Sequence, residues 1–202
     1  MKKITPFLFA GLLFIGQSCT DTADNKDSVE AANDANDNKD STGPMNDMND
    51  TTARTAMPIN DDVADFAVKA ANGGMMEVQL GKMAQGKATM KSVKDFGAMM
   101  VKDHGKANEE LKKLAAAKNI TLPAAVGEDM QKHIDDLAKK SGKEFDKDYI
   151  DMMISDHKED IDLFEGAIKN SKDTSFKAFA VKTLPTLHKH LGAAEAIVKS
   201  RP

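Results

Sequence analysis

From Asp61 to the C-terminus, apolar residues recur every three or four positions, the spacing of one face of an α-helix. The spacing predicts a first long helix over about Asp61 to Gln85, with Val63, Phe66, Ala67, Ala70, Gly74, Leu80 and Ala84 on one stripe. A second runs from about Ser92 to Lys118 with Val93, Phe96, Met100, Ala107, Leu111 and Leu114. Asn119 to Leu122 form a loop closed by Pro123. A short helix over about Gly127 to Lys140 carries Met130, Ile134 and Leu137 and stops at Ser141-Gly142. A third long helix, about Lys143 to Lys169, places Phe145, Tyr149, Met153, Ile161, Phe164 and Ile168 on one face. Asp173-Thr174-Ser175 offers N-terminal caps for a fourth, which runs to about Lys199 with Phe176, Phe179, Leu187, Leu191, Ala194 and Ile197 inward. No segment alternates with period two. The expected fold is all-α, an antiparallel four-helix bundle with a short extra helix, kinked where Pro185 removes a backbone donor.

Four polar residues interrupt these stripes. Glu77 falls between Gly73-Gly74 and Leu80-Gly81, His104 between Met100 and Ala107, His157 between Met153 and Ile161, and His190 between Leu187 and Ala194. Each lies near the middle of its helix, and midpoints of an antiparallel bundle share one height. The four side chains are therefore expected to converge on one mid-bundle site. A buried Glu77 without compensation would be costly, and a histidine or a metal ion would relieve it.

A near-repeat supports this placement. Met99-Met100-Val101-Lys102-Asp103-His104 and Met152-Met153-Ile154-Ser155-Asp156-His157 match at four of their positions, which suggests an internal duplication. Thioether from Met100 or Met153 with imidazole suits copper, and imidazole with carboxylate suits zinc or iron. Asp103 and Asp156 sit at the stripe edge, where they can orient the histidines. The alternative is a metal-free core in which methionines fill irregular space and the histidines bond an acid. His133 and His188 lie off the common face.

Five ordered motifs carry a resemblance: Gly73-Gly74-Met75-Met76-Glu77-Val78, Met100 to His104, Ile120-Thr121-Leu122-Pro123, Phe145-Asp146-Lys147-Asp148-Tyr149 and Leu184-Pro185-Thr186-Leu187-His188-Lys189-His190-Leu191. From about Asp61 to Ile197 the chain resembles the bacterial domain-of-unknown-function family numbered 4142. The resemblance implies a ferritin-like, usually exported bundle and brings no established reaction. Ferritin-like di-iron sites use Glu-x-x-His pairs. Here Val101, Ile154 and Leu187 stand three residues before the histidines, so ferroxidase or peroxidase chemistry does not carry over.

The chain ahead of Asp61 has a different character. Met1-Lys2-Lys3 and the apolar run Ile4 to Ile15 read as a signal segment, too short to span a bilayer, ending at Ser18-Cys19. Residues 1–18 are thus expected to be a lipoprotein signal, with Cys19 the lipidated first residue of an exported protein on the periplasmic face or cell surface. Residues 19–60 are rich in Asp, Asn, Thr and Ser and predict a disordered acidic tether, leaving 61–202 as the bundle domain. The tether holds nine acidic residues against three basic ones, so the formal charge of −4 belongs to it and the bundle is near neutral. That balance gives no case for nucleic acid. With one Cys in 202 residues there is no disulfide framework and no cysteine zinc module. The sequence shows no nucleophile paired with a base and no phosphate loop. Two readings remain: a lipid-anchored envelope protein holding a transition metal ion, or an interaction module for an envelope partner with a merely hydrogen-bonded polar core.

Overall fold

The structure, a computed structural model, describes residues 26–40 and 61–201. The signal segment, Cys19 and residues 41–60 lie outside the described residues. Six helices follow in order: α1 (Ser28–Asp40), α2 (Asp61–Lys87), α3 (Lys91–Ala117), α4 (Glu128–Ala138), α5 (Gly142–Asn170) and α6 (Thr174–Lys199). No strand occurs among the described residues, and no described helix is long and apolar enough to cross a membrane.

The four long helices form the bundle. α2 packs most closely on α3, and α5 on α6; α2 also meets α5, and α3 meets α6. Every neighbouring pair is antiparallel. One apolar cluster joins the first halves of α2 and α6 to the second halves of α3 and α5, and the other cluster joins the complementary halves. α3 and α5 therefore lie diagonally and run parallel. Residues 118–141, which include α4, travel back along the bundle to connect them, the single long crossover that such a topology requires.

Local chemistry fixes the joints. Asp173 caps α6 by accepting from the backbone N–H groups of Ser175 and Phe176 at 2.8 and 3.1 Å. The start of α3 has no cap of its own; Asp146, buried on α5, accepts from the N–H groups of Thr89 and Met90 at 2.9 and 2.8 Å. Gly142 begins α5 at φ +59°, where a side chain would be strained. A Cβ on Gly81 or Gly97 would stand 2.7 Å from the other's carbonyl oxygen, so this pair lets α2 and α3 touch backbone to backbone.

The two clusters differ in composition. The upper one is built on Phe66, Phe164, Phe176 and Phe179, with Phe66 edge-on to Phe164 at 5.1 Å. The lower one holds Phe96, Phe145 and Tyr149 and every described methionine, with Met76, Met100 and Met153 buried and six others half-buried around them. Between the clusters lies the polar layer.

One sequence expectation changes. The tether is not structureless throughout: α1 lies within it and docks on α2 and the 119–128 loop. Its composition hid this, because the docking depends on hydrogen bonds more than on apolar area. Asn36, buried, donates to the carbonyl of Thr121 at 3.0 Å and accepts from the Thr121 N–H at 2.7 Å. Lys39 donates to the carbonyl of Asn119 at 2.8 Å, and Asp27 accepts from the N–H of Glu128 at the start of α4. α6 is helical through Pro185, which stands inside it as the sequence placed it. The carbonyl of Val181 loses its usual donor there, at a residue that is 53 % exposed.

Candidate metal centre

Glu77, His104, His157 and His190 come from α2, α3, α5 and α6, and all four are buried. The helices place them there because each occupies the inward stripe at mid-height. One nitrogen from each of the three histidines lies within 4.8 Å of the others. His104 Nε2 and His157 Nε2 each stand 3.2 Å from His190 Nδ1. Two nitrogens bound to one tetrahedral ion at about 2.0–2.1 Å are separated by about 3.3 Å, so the spacing suits a shared ion.

The opposite nitrogens are held from outside. His157 Nδ1 is 2.8 Å from the carbonyl of Met153, one turn back on its own helix. A carbonyl only accepts, so that nitrogen carries the hydrogen and His157 Nε2 is a lone pair. His190 Nε2 is 3.0 Å from Asp103 Oδ2. Burial would raise the Asp103 carboxyl, but the His190 hydrogen bond and the neighbouring positive charges hold it below its ordinary value. It therefore accepts as a carboxylate, and His190 Nδ1 is also a lone pair. The rings are neutral: burial pushes His104 and His190 down to about 4 and His157 to about 3. Two lone pairs thus face each other across 3.2 Å.

Glu77 approaches the rings from the far side. Its Oε2 is 2.5 Å from His104 Nδ1 and its Oε1 is 3.4 Å from His157 Nδ1, yet neither contact is aligned as a hydrogen bond. Burial, and then the charge of Asp156, pushes this carboxyl well above its ordinary value. Glu77 therefore touches the outer nitrogens of two histidines, as Asp103 touches the outer nitrogen of the third. The cup itself is made of imidazole alone.

Other sequence candidates fall as follows. Asp103 partners His190 across the helix interface rather than its neighbour His104. Asp156 bonds no histidine; its Oδ2 is buried without a partner, and burial followed by Asp160 and Glu159 pushes it up to about 7. Met100 and Met153 are buried in the lower cluster. His133 and His188 are exposed.

Sequence reasoning missed Asp160. It stands three residues after His157 and four before Phe164, a position that periodicity alone could have flagged. Its carboxyl is pushed well up by burial and then by Glu77. With Glu77, His104, Asn108 and Thr183 it borders a cavity of about 20 Å³ between all four long helices.

Residues 48–197 match the DUF4142 family, described as a domain of unknown function. No curated protein and no solved structure gives a significant match to the chain.

Proposed function

The chain belongs to the DUF4142 family, and from its own site we propose that it binds one transition-metal ion in the cup of His104 Nε2, His157 Nε2 and His190 Nδ1. The observation that carries this reading is the pair of lone pairs facing each other at 3.2 Å. If Glu77 is protonated, it can donate to His104, whose Nε2–H then points at His190. The His157–His190 clash persists in that state too. A cation at the centre turns the repulsion into three ligand bonds, and Glu77 as a carboxylate then accepts from His104 Nδ1–H. Asp103, Glu77 and the Met153 carbonyl would fix ring orientation, the usual duty of groups behind metal-bound imidazoles. An all-imidazole donor set suits zinc, copper or iron.

The function follows as metal holding in a bacterial envelope. Its placement rests on the basic and apolar start that ends at Ser18-Cys19, which supports export and lipid attachment at Cys19. A binding role accounts for the residues present.

Titration of the chelator-stripped protein with Zn²⁺ tests the reading. We expect uptake of one equivalent. His104→Ala, His157→Ala and His190→Ala should each abolish tight binding, while Glu77→Gln and Asp103→Asn should weaken it by about 10–100-fold. An unchanged affinity in the histidine variants, or no uptake by the parent protein, would leave the polar layer as a structural core serving an interaction module.

A further inference from the structure

Helix α1 bonds to the first part of the crossover, residues 119–128, and the two run in opposite directions. Asp27 accepts from the N–H of Glu128, and Ser28 Oγ accepts from the N–H of Ala125 at 3.0 Å. Asn36 exchanges two bonds with the Thr121 backbone, and Lys39 donates to the Asn119 carbonyl and, at 2.7 Å, to the Thr121 hydroxyl. Four side chains thereby satisfy five backbone groups of the crossover. Ser28, Ala32, Asn36 and Lys39 follow at intervals of four, four and three, so they share one face of α1. The far end of the contact serves a second helix. α4 has Gly127 at its N-cap and no side-chain cap of its own, and Asp27 supplies one while also accepting from the N–H of Val29 at 2.6 Å. A Cβ on Gly127 would stand 2.8 Å from Val29 Cγ2 and 3.2 Å from Asp27 Oδ1, so glycine lets the start of α1 close on the start of α4.

We propose that α1 is a releasable strap: it docks and undocks as one unit, and while docked it holds the crossover in place and caps α4. Two properties of α1 support this. Its grip is made of directed bonds and little apolar area, since Ala32 is the one buried hydrophobic residue it brings. Bonds that water can replace contribute little net stability each, which puts α1 among the segments that open most easily. Its bonds also depend on one another. A helix of 13 residues rich in Asp and Asn is marginal alone in water, so once one end leaves the bundle nothing keeps the other bonds in register. Release removes the cap of α4, whose Ile134 and Leu137 cover the methionine-rich cluster, and the strap thus sets how firmly that half is closed. The device is independent of the metal centre.

Amide hydrogen exchange on the full-length protein, read segment by segment by mass spectrometry, tests the strap from both ends. Asn36→Ala removes two bonds, both to Thr121. Exchange should nevertheless rise roughly tenfold or more at residues 128–131, the start of α4, as well as within 28–40 and at 119–121. Asp27→Ala removes the bond to Glu128 at the opposite end. It should raise exchange by a similar factor at 119–121. In both variants α3, α5 and α6 should exchange at the parent rate. A rise confined to the substituted end in either variant would overturn the strap, because the bonds would then open one by one. Parent exchange throughout would overturn it too. A rise spread over all the long helices would make α1 an integral part of the bundle and would likewise overturn its release as a unit.

Discussion

At the residue scale, the distinctive fact is that three imidazoles are neutral and their tautomers are dictated from behind. Burial sets the first condition. With folded pKa values of about 4, 3 and 4 for His104, His157 and His190, protons compete for the cup only in strong acid. A solvent-exposed histidine site would release its metal near 6.5. The sign is clear: lowering the pKa weakens the proton as a competitor, so the metal-release midpoint moves to lower pH. We expect bound Zn²⁺ to be retained on dialysis at pH 5.5 and lost as pH falls toward 4, measured by metal content. In the metal-free protein the same depressed values mean that the unfolded chain binds more protons below about 6.5. The histidines' contribution to stability is thus complete above that pH and declines as pH falls through the window to about 3. Raised carboxyls at Glu77, Asp156 and Asp160 act in the opposite sense, losing their contribution as pH rises. Only the inward placement of Glu77 and the three histidines was legible from periodicity. The tautomers were not, because they depend on a carbonyl of the same helix and on Asp103 reaching past its neighbour to another helix.

At the element scale, the long helices were readable to within a residue or two because each has an uninterrupted apolar stripe of 3.6-residue period. α1 was not readable, since its one well-buried apolar residue is Ala32 and its hold depends on Asn36. That side chain imitates a backbone partner, giving and accepting one bond each with Thr121. Asn36→Ala should cost about 1–3 kcal/mol of docking, because it leaves the half-buried Thr121 N–H and carbonyl without those partners. Limited proteolysis should then cut within residues 28–40, which the parent protein protects, while the melting of α2–α6 should change little. Equal protection in both proteins would show that the Asn36 bonds do not hold α1. Asp146 illustrates the same limit. It belongs to a recognisable motif, but its task of closing the start of α3 from a different helix appears only in three dimensions.

At the scale of the whole molecule, a phenylalanine-rich half and a methionine-rich half are joined by the layer that carries the cup. Attachment to a membrane is a separate property, proposed for Cys19. Cys19→Ala should leave the protein uncleaved or in the soluble fraction; a mature-sized band that still sediments with membranes would refute lipid attachment there. If the anchor is at Cys19, the docking of α1 sets a working distance. Only residues 20–26 then separate the lipid-bearing residue from Asp27, the first docked residue, a leash of at most about 29 Å even when fully drawn out. With α1 released, residues 20–60 would stretch to as much as about 150 Å. The leash also leaves from the flank of the bundle, beside α2 and the start of α4, rather than from either end. A docked α1 would therefore keep the bundle close to the bilayer, and undocking would let it sample a far deeper shell of the surrounding space.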